Sequence, residues 1–142
     1  MYSWLFAAAG FATPFWLLMI FLPGWRVTKY LADRQVFPVL LALLYTVGVG
    51  TAVVQGGLGF VRDFGSEEGV IRLLAAPEFA LIVWIHILCF DQAIGHRIYR
   101  ENMEHRVVPL PVQSILLFLT LMFGPFGWLL YTGLRALRRR TA

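Results

Sequence analysis

Charge is scarce in this 142-residue chain: 14% of the residues are Asp, Glu, Lys or Arg, against 59% hydrophobic, where soluble domains carry about a quarter charged. That shortage excludes an ordinary soluble domain and reads as an integral membrane protein. Cysteine is nearly absent. With Cys89 alone, intrachain disulfides and multi-cysteine zinc sites are excluded. The single lysine, Lys29, falls between apolar runs, which excludes a retinal Schiff base inside a span. Of the three histidines, His96 and His105 fall at or beyond a helix end while His86 lies deeper, an arrangement that argues against a bis-histidine haem. Light-harvesting polypeptides carry a small residue four places before their chlorophyll-binding histidine, and here that place holds Ile82. Phosphate-binding glycine motifs, metalloprotease signatures and nucleophile elbows are also missing. The sequence calls for no metal and no cofactor.

What is present is long and apolar. Four spans are expected, at about 4–22, 37–54, 78–99 and 107–134, making one all-α membrane domain over 1–142. Pro23-Gly24 stops the first span, Pro38 suits the first turn of the second, and Gln55-Gly56-Gly57-Leu58-Gly59 closes it. The opening run to Leu22 lacks a preceding Lys or Arg and exceeds a signal-peptide core, so it reads as a retained helix. Ser66-Glu67-Glu68 has the form of a capped helix start, and Val70, Ile71, Leu73 and Leu74 follow on one side, away from Arg72. Pro77 interrupts, so a short interfacial helix at about 66–75 is expected before the third span.

The formal charge of +4 comes from twelve basic residues against eight acids, clustered between and after the apolar runs. That placement suits membrane lipid with anionic head groups and not nucleic acid. Arg26, Lys29, Arg34, Arg97, Arg100 and Arg106 flank one face, and Arg62, Arg72, Arg135, Arg138, Arg139 and Arg140 the other. Six against six leaves the direction of insertion open.

Glu78, His86 and Asp91 bracket or interrupt the apolar stretch Phe79–Phe90. An ionised side chain at membrane depth costs roughly 2.5–3.5 kcal/mol on insertion scales, so it marks a functional position or a buried partner. On a helix Trp84, Asp91, Gly95 and Ile98 lie near one line, with His86 and Arg97 on another rotated by about 140°. His86 and Asp91 are about 7–8 Å apart along the axis, but Glu78 and Asp91 about 20 Å. Only the former pair is near enough to share a reacting centre. The blander readings stand beside these: a neutral imidazole bonded to a neighbouring helix, an Asp91 ion pair with Arg97 or His96, and Arg97 snorkelling to the head groups. Gly124-Pro125-Phe126-Gly127 falls inside the fourth span, where a packing kink and a close ligand approach are both open.

Taken in order, Pro14-Phe15-Trp16-x-x-Met19-x-x-x-Pro23 with Val27-Thr28-Lys29, then Glu78 with Trp84-x-His86-x-x-x-x-Asp91, then Phe123-x-Pro125-x-Gly127, resembles the neoxanthin-synthase-like family, named for an abscisic-acid-deficient plant mutant. The resemblance covers roughly residues 11–132. It implies a small four-helix membrane protein whose plant members are required to convert violaxanthin to neoxanthin. That rearrangement opens an epoxide and forms an allene, needing a proton donor at oxygen and a base at a polyene C–H, with no net redox change. Carried over to matching positions, His86 and Asp91 are the implied acid and base in either assignment, with Glu78 supporting. Trp84, Arg97, Pro125 and Gly127 are the implied ligand contacts. One departure is local: His96 intervenes after Gly95, where the family pattern has arginine directly, and so Arg97 is turned by about 100°.

Together these observations predict a membrane protein that binds a carotenoid or related isoprenoid lipid and isomerises it by acid–base chemistry. The competing reading is a non-catalytic subunit or assembly factor of a pigment-containing membrane complex. A small transporter is a third. The absence of a plastid transit sequence and the Arg-rich tail point to a bacterial inner or photosynthetic membrane.

Overall fold

A computed structural model describes residues 3–141. Every regular element among the described residues is helical, as lipid demands: a backbone that finds no water must satisfy its polar groups internally, and a helix does so within one segment. The order is α1 (Ser3–Gly10), α2 (Thr13–Phe21), α3 (Arg26–Asp33), α4 (Val36–Gly56), a 3-10 segment (Gly59–Gly65), α5 (Glu67–Ala75), α6 (Pro77–His105), α7 (Leu110–Phe123) and α8 (Pro125–Thr141). Among the described residues, three stretches are long and apolar enough to cross a membrane: Ser3–Phe21, Val36–Gly56 and Pro77–His105.

The apolar runs are more broken than the sequence led one to expect. The first is two helices, α1 and α2, with Pro14 in the first turn of the second, where its missing N–H costs nothing. The last, expected as one stretch over 107–134, divides at Gly124, whose φ of 26° lies in the left-handed region; Pro125 follows, cannot donate to the preceding turn, and starts α8. The third runs past 99 to His105, because Arg100, Glu101, Asn102, Met103 and Glu104 are all compatible with a helix that has left the apolar zone. At Ser66 a helix does begin, with Oγ accepting from the Gly69 N–H at 3.1 Å and Glu67 and Glu68 in its first turn.

The chain forms two compact units, residues up to 10 with 40–89, and 11–39 with residues from 90 onward. In the first, α1, α4 and α6 meet at Gly48, where a Cβ would touch Ile82 and Leu5 at 3.4 and 3.5 Å. Leu5, Leu41, Ile82 and Ile85 of this unit are buried. The 3-10 segment packs on α5: a Cβ at Gly69 would overlap the Asp63 backbone, and Arg72 pairs with Asp63. An exposed pair of this kind contributes little, about 0–1 kcal/mol, so the glycine contact is the more restrictive tie.

The second unit is centred on Phe15, Trp16 and Met19 of α2, packed with Ile98, Tyr99, Leu116, Leu117 and Tyr131. Phe15 stacks on Phe37 with ring centroids 4.7 Å apart. Trp16 lies so close to Gly95 of α6 that any Cβ there would overlap its ring. The side chains that close the helix ends are neutral. Tyr99 Oη donates to Pro23 O (2.5 Å), Thr28 Oγ1 to Leu22 O (2.9 Å) and Ser114 Oγ to Ile20 O (2.6 Å). The α6–α7 turn passes through Arg106 in the left-handed region (φ 49°). Buried Asn102 holds that turn, donating to Val108 O (3.0 Å) and Gln113 Oε1 (2.6 Å) and accepting from Val108 N (2.7 Å).

Gly95→Ala should destabilise the protein by about 1–3 kcal/mol, the usual cost of overfilling a packed contact. Gly133→Ala, whose added methyl meets nothing within 4 Å, should leave stability unchanged or slightly raised. Thermal unfolding in detergent, followed by helical circular dichroism, separates the two, and equal melting temperatures would refute the Trp16–Gly95 contact.

Candidate functional site

Within the first unit, Tyr45, Val49 and Ala52 fall four and three residues apart and therefore share one face of α4. Phe79, Ile82, Val83 and His86 form the matching face of α6 by the same spacing rule. The 3-10 segment adds Phe60 and Phe64. These nine residues line a groove of about 370 Å³, toward the lower end of the roughly 300–1,000 Å³ of small-molecule sites. Phe60 makes an edge contact with Phe64 (6.2 Å) and a tilted one with Phe79 (5.2 Å). Such ring pairs contribute about 0.5–1.5 kcal/mol each beyond the area they bury, and the Phe60–Phe79 pair ties the 3-10 segment to α6.

The groove's chemistry is concentrated in two side chains. Of the nine, only Tyr45 and His86 carry exchangeable protons; their rings lie 5.1 Å apart, tilted by 59°. His86 is itself exposed, so its imidazole is reachable from outside the protein. An apolar ligand with one oxygen function suits this lining: the hydrocarbon meets aliphatic and aromatic walls, and the oxygen meets an imidazole and a phenol that both donate and accept.

The other expected site residues occupy varied settings. Glu78 is exposed in the first turn of α6, where a carboxylate faces the positive end of the helix, and Trp84 is 46% exposed. In the second unit Asp91 is half-buried, its carboxylate directed at the spot a Gly124 side chain would fill. That puts the carboxylate beside the start of α8. The Arg97 guanidinium lies 5.0 Å from the centre of the Trp128 ring, a cation–π contact. Pro125 is the exposed first residue of α8, and Gly127 is buried against the Thr120 backbone, where a Cβ would overlap.

Tyr45, Phe60, Phe64 and Phe79 were not singled out by sequence. The signal for Tyr45 was there, an aromatic with a polar tip on the same helical face as Val49 and Ala52. Nothing local connects it to Phe60 or His86. The buried amides Asn102 and Gln113 were missed as well, although Gln113 is one of few polar residues in the apolar run 107–134.

Comparison with known proteins adds a lineage to this geometry. A family model described as ABA DEFICIENT 4-like matches residues 4–131. Over 120 residues the chain is 23% identical to Protein ABA DEFICIENT 4, chloroplastic, of Arabidopsis thaliana, an alignment covering 80% of this chain and 52% of that protein. The chain thus spans about half the length of the curated relative it matches. No solved structure matches it.

Gly124→Ala should cost about 2 kcal/mol or more, from the left-handed φ and from overlap with Asp91. Adding Asp91→Ala should recover the overlap portion and leave the backbone portion. Strictly additive effects in the double-mutant cycle would mean the two residues do not touch.

Proposed function

The chain belongs to the ABA DEFICIENT 4-like family, and from that premise we propose that it binds a carotenoid or related isoprenoid lipid through the groove that His86 and Tyr45 line. The observation carrying this reading is the lining itself: apolar over most of its area, with proton-bearing groups from those two residues alone. A volume of about 370 Å³ accommodates a terminal ring with the first part of a polyene, and the remaining chain lies against lipid-facing surface. The proposal keeps the four-span domain, with α7 and the apolar part of α8 forming a fourth span broken at Gly124, and with α5 lying at the interface. The host membrane is proposed to be a bacterial inner or photosynthetic membrane.

We further propose a non-redox isomerisation as the activity. One proton is placed on an epoxide oxygen as its C–O bond breaks, and one is removed from a polyene carbon as the new double bond forms. Protons and charge balance, with no oxidant or reductant required. For this chemistry the proposed proton-exchanging groups are His86 and Asp91, in either order, with Glu78 supporting and Trp84, Arg97, Pro125 and Gly127 as further ligand contacts; of these seven, His86 alone lines the groove. The second reading is that of a non-catalytic protein, and it draws on the open surface of α4, of whose 21 residues Leu41 and Gly48 are buried. In it the chain is a subunit or assembly factor of a pigment-containing complex, and another protein covers that helix.

Purified protein should carry extractable carotenoid or isoprenoid, and Ala52→Trp, which fills the groove, should reduce it at least several-fold at normal protein yield. His86→Ala and Asp91→Asn should each alter the pigment profile of cells while the protein accumulates normally. A profile unchanged by both variants removes the catalytic proposal. Retention unaffected by Ala52→Trp removes the groove.

A further inference from the structure

We propose that the hollow between the end of α6 and α8, in the second unit, binds the phosphodiester headgroup of an anionic phospholipid. It encloses about 320 Å³ and is lined by Glu101, His105, Val107, Arg135, Arg138 and Arg139. Arg138 and Arg139 lie three and four residues after Arg135, so both adjoin it on one face of α8. Arg135 is already committed: its Nε lies 2.8 Å from Glu101 Oε1 and its Nη1 3.2 Å from Oε2, a two-point fork that fastens α8 to α6 and cancels one charge of each sign. The lining thus holds three arginines against the one carboxylate of Glu101, with His105 as a further donor. Planar guanidinium groups match the paired oxygens of a phosphate diester better than a lysine would.

The apolar surface beside this hollow selects a lipid over a free anion. Phe126, Leu130, Leu134 and Arg138 follow one another at intervals of four, an inclined row along α8 in which apolar Leu134 is the neighbour of Arg138 one turn back. Phe126, Leu130 and Leu134 are 48%, 36% and 38% exposed. A molecule with an anionic head and hydrocarbon tails satisfies both the row and the arginines at once, whereas inorganic phosphate satisfies only the latter. Adjoining hollows around the end of α6 extend the same character: one carries Lys29, Arg100 and Arg106 against Asp33 and Glu104. This headgroup site is independent of the groove at His86.

The test is lipid retention by the full-length protein. After delipidation in detergent, native mass spectrometry should show phosphatidylglycerol retained over phosphatidylcholine when both are supplied equally. The double variant Arg138→Gln/Arg139→Gln should lower phosphatidylglycerol retention roughly tenfold or more, two arginines at a headgroup being removed together. The charge-matched control Arg26→Gln/Arg62→Gln, which alters no lining residue, should retain it. Equal loss in both double variants would reduce the effect to overall charge and overturn the site, as would no preference between the lipids. Inorganic phosphate displacing phosphatidylglycerol at equal concentration would reassign the hollow to a free anion. Pigment content, measured in parallel, should not change in the Arg138→Gln/Arg139→Gln protein.

Discussion

Wherever a helix ends in a membrane, its last carbonyls need a donor, and most of the second unit is organised by how that need is met. Pro23 O is taken by Tyr99, Leu22 O by Thr28 and Ile20 O by Ser114. All three close the end of α2 from three different helices. Each bond therefore meets a carbonyl at or just past the helix end and ties two elements together, with Leu22 O accepting from the Trp25 N–H as well. Asn102 does the same for the α6–α7 turn, and Gln113 reaches it from α7. Neutral amides and hydroxyls are suited to the task because they pair with backbone at no cost in buried charge. With the ends fixed, close contacts such as Trp16 on Gly95 become possible, since neither helix can slide away.

The charged residues are placed by a different rule. Arg97 lies over an indole, Arg135 is forked onto Glu101, and Asp91 sits beside the start of α8, so each has a local partner or a favourable dipole. His86 lines an open groove whose other walls are a phenol and hydrocarbon. The functional reading gathers there because an imidazole and a phenol, each able to donate and accept a hydrogen bond, face the same apolar hollow. The family pattern Pro14-Phe15-Trp16-x-x-Met19, by contrast, is accounted for by packing: Phe15, Trp16 and Met19 are the centre of the second unit's core.

Much was legible before any coordinates. Helix at 37–54 and across 78–99 follows from length and hydropathy, and the helix start at Ser66 from its cap chemistry. The break at Gly124-Pro125 was visible as a glycine and a proline inside an apolar run; that it divides the run into two helices was not, because a proline in such a run is often absorbed as a kink. The overrun of α6 to His105 was hidden for another reason: hydropathy reports where the membrane ends, and a helix stops only where its backbone bonds stop.

Sequence by itself determined that this chain is helical and membrane-suited, which residues are ionisable within its apolar runs, and which family it belongs to, since these depend on composition, period and order alone. Tertiary structure decided which of those residues have company. His86 meets Tyr45, forty-one places away in the chain, and Asp91 meets Gly124, thirty-three away. No helical period relates such partners; only the packing of one helix face on another brings them to the same place.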